Sequence, residues 1–72
     1  MNDYENPMVL IALAIKYEYD KEYEKMLKVV NKGVEMGVGR AINYLGIIYE
    51  EGLGVDKSYD KAIYWAEQSR SK

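Results

Sequence analysis

The feature that most constrains the fold of this 72-residue chain is an internal repeat. Residues 13–17 match residues 45–49, which are 32 positions further along the chain. Residues 23–27 match residues 59–63, which are 36 positions further along. The matching pairs are Leu13/Leu45, Ala14/Gly46, Tyr17/Tyr49, Tyr23/Tyr59, Lys25/Lys61 and Leu27/Ile63. The connection between the two matching segments must then be four residues longer in the second copy of the repeat than in the first. We therefore predict two hairpins of one kind.

Apolar residues at helical spacing predict four helices, at residues 8–19, 20–36, 40–51 and about 59–70. The first is apolar on nearly every side, whereas the others carry one apolar stripe each. In the fourth helix the predicted stripe consists of Tyr59, Ala62, Ile63 and Ala66. No segment shows the alternation of a strand. The fold class is therefore predicted to be all-α, a single domain over residues 1–72.

Capping residues support these boundaries. Asn6 and Pro7 suit the positions before and at the start of the first helix, and Ser58 suits the position before the fourth. Gly37 follows the second helix, where a left-handed residue commonly ends a helix. Gly46 stands in the middle of the third helix, which suggests that another backbone passes close to it.

Composition excludes several classes of function. The chain has no cysteine and no histidine, so disulfides are impossible and the commonest catalytic bases, nucleophiles and zinc ligands are missing. Its net charge is −2, and acidic residues interrupt the lysines of the second helix, so nucleic acid is not an expected partner. The longest apolar run, residues 8–15, is far shorter than the about 20 residues that span a bilayer. A cytoplasmic location is expected, with no membrane partner, because no signal peptide is recognisable.

The glycines of Gly52-Leu53-Gly54 could form either a phosphate-binding loop or the corner between two helices. A phosphate loop requires a preceding strand and usually a Lys-Ser/Thr pair opening the next helix, and neither is present. We interpret the segment as a corner in which Val55 fills the space beneath.

Residues 41–65 closely resemble the Sel-like repeat, a relative of the tetratricopeptide repeat. The family pattern A-x-x-x-L-G-x-x-Y-x-x-G-x-G-V-x-x-D-x-x-K-A-x-x-W is matched with one departure, Ser58 in place of Asp. The positions that carry the repeat are Leu45, Gly46, Tyr49, Gly52, Gly54, Val55, Ala62 and Trp65. Residues 38–72 would form this repeat, strongest over about 41–70, and residues 7–37 a degenerate one with Val29 in place of Trp.

The resemblance implies a short right-handed α-solenoid of two stacked antiparallel hairpins. It also implies a non-catalytic module that binds a protein or peptide, without cofactor or metal. The first helices of such pairs line the concave side of the solenoid. The partner-binding residues expected there are Ile11, Ile15, Tyr19, Asn43, Tyr44, Ile47 and Glu51. The alternative is that these residues pack against the chain's own ends.

The two ends of the predicted stack differ. Polar residues 69–72 are expected to cap the C-terminal end, whereas the first helix has no matching polar face. A homodimer through this N-terminal helix is therefore expected, unless the chain is a fragment from which a preceding repeat is missing. A small standalone inhibitor or effector, for example of phage, viral or pathogen origin, is the second hypothesis for function.

Overall fold

The computed structural model describes residues 6–71, which form four α-helices and, within that range, no strand. The helices are α1 (Pro7–Tyr19), α2 (Tyr23–Glu35), α3 (Gly39–Glu51) and α4 (Tyr59–Arg70). The prediction of an all-α fold with four helices is confirmed. The predicted bounds of α4 are those observed, whereas α2 begins three residues later than expected.

The late start of α2 has a local cause. The backbone N–H of Glu22 donates to the carbonyl of Tyr17 at 2.8 Å, and that of Lys21 donates to the carbonyl of Glu18 at 3.0 Å. These bonds close a tight turn in which Lys21 has a positive φ of 59°. A left-handed residue cannot belong to an α-helix, so the second helix starts only after this turn.

Both predicted N-caps are present. The Asn6 side chain accepts a hydrogen bond from the Met8 backbone N–H at 2.9 Å, and Pro7 occupies the first turn of α1. The Ser58 hydroxyl accepts from the Lys61 backbone N–H at 3.3 Å. Each cap satisfies an amide that has no partner within the helix.

The helices pack in chain order. Contacts are most extensive between α3 and α4 and between α1 and α2, and a smaller interface joins α2 to α3. The four helices form a slab with extents of 37 × 29 × 13 Å. This order is the one expected of two consecutive hairpins, and the right-handed solenoid stays a prediction.

The hydrophobic core lies between the first three helices. Its fully buried members come from α1, α2 and α3, while α4 contributes no fully buried residue. The core residues are Leu10, Ala14, Met26, Val29, Val30, Leu45 and Ile48. Trp65 and Val55 are half-buried and pack against this cluster, so α4 and its preceding turn close one side of the core.

Close backbone approach explains how α4 sits on α3. An added Cβ at Gly46 would lie 3.2 Å from the carbonyl oxygen of Ala62 and 3.5 Å from the backbone nitrogen of Ala66. The prediction that another backbone passes close to Gly46 is confirmed. Ala62 and Ala66 therefore lie where α4 comes closest to α3, and the Cβ of Trp65 lies 3.6 Å from the same added Cβ.

The predicted stripe of α4 is correct for only half of its members. Ala62 and Ala66 lie towards α3, but Tyr59 and Ile63 remain exposed. Their equivalents on α2, Tyr23 and Leu27, are half-buried because the α3–α4 corner packs on them. An added Cβ at Gly54 would lie 2.6 Å from Tyr23 Cβ and 3.6 Å from Leu27 Cδ1. No described residue packs in the same way on α4.

Candidate protein-interaction surface

The segment Gly52-Leu53-Gly54 forms the corner between α3 and α4. Gly52 and Gly54 have positive φ angles of 69° and 76°, a conformation that favours glycine. The Leu53 N–H donates to the carbonyl of Ile48 at 3.0 Å, and the Ser58 N–H donates to that of Tyr49 at 2.9 Å. The interpretation of this segment as a helix corner is confirmed, and half-buried Val55 packs against the core beneath it.

A pair of lysine–tyrosine contacts repeats in the two hairpins. Lys25 Nζ lies 6.0 Å from the ring centre of Tyr17, and Lys61 Nζ lies 5.2 Å from that of Tyr49. Each contact joins the two helices of one hairpin by a cation–π interaction. The repeat therefore extends from residue identity to the contacts inside each hairpin. Tyr17 and Tyr49 therefore contribute to contacts between helices and pack against the core.

The seven residues predicted to bind a partner fall into three groups. Ile15, Tyr19 and Ile47 are exposed and apolar, with exposed fractions of 56%, 87% and 38%. Asn43 and Glu51 are exposed and polar. Ile11 and Tyr44 are half-buried. We call the five apolar and aromatic residues the candidate strip: Ile11, Ile15, Tyr19, Tyr44 and Ile47.

A hydrogen bond of Tyr44 joins the two helices, α1 and α3, that carry the candidate strip. Its hydroxyl donates to the carboxylate of Glu18 and also lies 3.4 Å from the carbonyl oxygen of Ala14. Burial and the bond to Glu18 raise the pKa of Tyr44 well above its usual range. The hydroxyl therefore donates its hydrogen bond inside the chain, and the half-buried ring of Tyr44 remains part of the candidate strip.

The contact of Tyr44 with Glu18 places exposed side chains of α1 and α3 on one side of the slab. Ile47 follows Tyr44 by three residues, and Ile15 precedes Glu18 by three residues. Residues three apart are neighbours on a helix surface. Ile15 and Ile47 therefore flank the junction of α1 with α3, and the polar Asn43 and Glu51 border the same part of α3.

Residues 6–71 contain no group of acidic side chains placed to hold a metal ion. A surface depression at the start of α2 is lined by residues of both charges, including Lys21, Glu24 and Lys28. There Lys25 is paired with Glu22 at 3.1 Å, so its charge is balanced locally. Among the described helices, none has the length and apolar character needed to cross a bilayer.

Both ends of the slab carry exposed apolar residues. On α1 these are Met8, Ile15 and Tyr19, and on α4 they are Tyr59, Ile63 and Tyr64. The predicted polar C-terminal cap is limited, among described residues, to the last turn of α4. The exposed face of α4 was missed by the sequence analysis. The repeat could have indicated it. Tyr59 and Ile63 occupy the positions of Tyr23 and Leu27, which the corner of the following hairpin covers, and no described hairpin follows α4.

Comparisons with models of protein families, with curated proteins and with solved structures found no match for this chain. The resemblance to Sel-like repeats therefore rests on the sequence pattern, which is strong over residues 41–70 and degenerate over residues 7–37, and membership of that family stays a prediction.

Proposed function

We propose that this chain is a non-catalytic protein-interaction module that binds an apolar segment of a partner protein along the candidate strip. The observation that carries the proposal is the exposure of Ile15 and Ile47 on two helices that the Tyr44–Glu18 hydrogen bond holds together. A surface that is already ordered before binding loses little conformational entropy when a partner binds.

The polar surroundings of the strip suggest the chemistry of the partner segment. Glu50 and Glu51 are exposed at the end of α3, three and four residues after Ile47, and residues at this spacing are neighbours on a helix surface. The one lysine of α1, Lys16, is paired with Asp20 at 3.0 Å. The rim near Ile47 is therefore acidic, and the segment that fits it best is apolar at its centre with a basic residue at one end.

A displayed peptide library, selected on the wild-type chain, tests this proposal. The enriched peptides should combine two or more large apolar residues with a flanking Lys or Arg. Their affinities would then be measured by calorimetry on the wild type and on two variants, Ile47→Lys and Met36→Lys. Met36 is the matched control because it has the same exposed fraction as Ile47, 38%, but lies at the end of α2.

We expect Ile47→Lys to weaken binding about tenfold, because it replaces apolar contact with a charge that must be desolvated. Met36→Lys should leave the affinity unchanged. Equal affinities in all three proteins, or a library without enriched peptides, would contradict the proposal. If a protein that contains such a segment keeps its own activity when bound, the chain acts as an adaptor. Loss of that activity would instead support the inhibitor hypothesis.

A further inference from the structure

The side of α1 that faces away from the core carries a continuous apolar face. Met8, Ala12, Ile15 and Tyr19 lie within about 60° of one another around the helix axis. All four are exposed, and Met8 and Tyr19 are among the most exposed apolar residues described, at 75% and 87%. The buried residues Leu10 and Ala14 lie on the other side of the helix. We call these four residues the α1 outer face.

We propose that the α1 outer face binds the same face of a second copy of this chain, with the two α1 helices antiparallel. The order of side-chain sizes along the helix carries this inference. When the helices are aligned so that Ala12 lies opposite Ile15 of the second copy, Met8 lies opposite its Tyr19. Two-fold symmetry makes each of these contacts twice.

This register is self-complementary in shape. The methyl group of Ala12 leaves room for the branched side chain of Ile15, so the helices can approach closely at the symmetry axis. Met8 is flexible, and its sulfur makes favourable contacts with an aromatic ring such as that of Tyr19. In a parallel arrangement each residue would meet its own equivalent, and Ile15 would lie against Ile15.

The charges of α1 do not oppose this pairing. Lys16 borders the outer face, and its Nζ is paired at 3.0 Å with the carboxylate of Asp20, the residue that follows α1. Glu18 lies on the side of α1 that faces α3, where it accepts the hydrogen bond from Tyr44. Pairing through the outer face therefore brings no unpaired charge to the centre of the interface.

The exposed area predicts a weak dimer. The outer face exposes on the order of 400 Å² per copy, about half of the ~800 Å² per partner in a standard interface. Interfaces of this size dissociate readily, so we expect a monomer–dimer equilibrium in the micromolar range or weaker.

Disulfide trapping tests both the surface and its orientation, because the natural chain has no cysteine. Met8→Cys and Tyr19→Cys would be prepared separately in the full chain and oxidised alone and as an equimolar mixture. In the antiparallel register residues 8 and 19 of the two copies face each other, whereas the two copies of residue 8 are about 16 Å apart. Such a separation does not permit a disulfide.

We expect the mixed disulfide to form at least tenfold faster than a disulfide in either variant alone. Faster self-crosslinking of each variant would show a parallel pairing and overturn the register. If all three rates match that of a Tyr64→Cys control on α4, the α1 outer face does not bind a second copy. Circular dichroism of each variant would show that the fold is retained, as expected for exposed positions.

Sedimentation equilibrium of the wild type, Met8→Glu and Ile47→Lys gives an independent measurement. We expect Met8→Glu to weaken dimerisation at least tenfold and Ile47→Lys to leave it unchanged, because Ile47 lies on α3. A concentration-independent monomer in the wild type would overturn the proposal. Peptide binding can fail in the Ile47→Lys variant while the dimer persists, so this inference and the proposed function can be refuted separately.

Discussion

The substitution Gly33→Ala tests the interface between the two hairpins directly. Gly33 is buried on α2, and a Cβ added there would lie only 2.5 Å from the Cβ of Ala41 on α3. Nonbonded carbons reach their lowest energy at about 3.5–4.0 Å. The two helices would have to move apart by roughly 1 Å, because both contacting atoms are attached to backbone and neither can rotate away.

The expected magnitude is the difference between two effects. Forcing an extra methyl group into a packed interface costs about 1–3 kcal/mol. Alanine in place of glycine within a helix gains up to about 1 kcal/mol. The net effect is a loss of about 1–2 kcal/mol from a total that is on the order of 4–10 kcal/mol for a chain of this length. The melting temperature should fall by about 5–15 °C.

Urea unfolding followed by circular dichroism measures this loss. Gly39→Ala is the matched control, since no atom lies within 4 Å of its added Cβ and Gly39 is the first residue of α3. We expect the control to be as stable as the wild type or slightly more stable. Adding Ala41→Gly to Gly33→Ala removes the clash. The loss of unfolding free energy in the double variant should therefore be at least about 1 kcal/mol smaller than the sum of the losses in the two single variants.

A Gly33→Ala variant that is as stable as the wild type would refute this reasoning. It would mean that α2 and α3 are not in close contact at Gly33 and Ala41. The stacking of the second hairpin on the first would then be wrong, even if each hairpin were correct.

Two further substitutions test the corner and the Tyr44 contact. Gly54→Ala places a side chain at a φ of 76° and 2.6 Å from Tyr23 Cβ, so thermal melting should show a loss of about 2–4 kcal/mol; an unchanged melting temperature would contradict a tight contact between this corner and α2. The raised pKa of Tyr44 means that above its usual value of 10.0 the unfolded chain loses this proton before the folded chain does. The stability of the wild type relative to Tyr44→Phe should therefore fall as the pH rises above 10. A difference in urea unfolding that does not change with pH would argue against a half-buried hydroxyl bonded to Glu18.

Local sequence signals were sufficient for most helix boundaries. Ser58 caps α4 with its own side chain, and α4 begins at the next residue, as predicted. The start of α2 was missed because the left-handed residue of the preceding turn is Lys21, not glycine or asparagine. A lysine carries no sequence signal for that conformation, which is imposed here by the two hydrogen bonds that close the turn.

The candidate strip was harder to derive because it depends on contacts between distant residues. Periodicity placed Tyr44 on an outward face of α3, but it carries no information about Glu18, which precedes Tyr44 by 26 residues. The same limit applies to α4. Its spacing is compatible with Tyr59 and Ile63 on the packed side, and only the close approach of Gly46 to Ala62 shows that the alanines occupy that side.

Ile15 and Tyr19 belong both to the candidate strip and to the α1 outer face. In the proposed dimer these two side chains are covered by the second copy, so a paired chain cannot present them to a partner segment at the same time. The apparent association constant for a segment is the intrinsic constant multiplied by the fraction of chains that are monomeric. Because the expected interface is small, that fraction is high at low concentration and falls as the protein accumulates. Self-association would therefore limit partner binding most strongly where the chain is most abundant, through two side chains and without any change in fold.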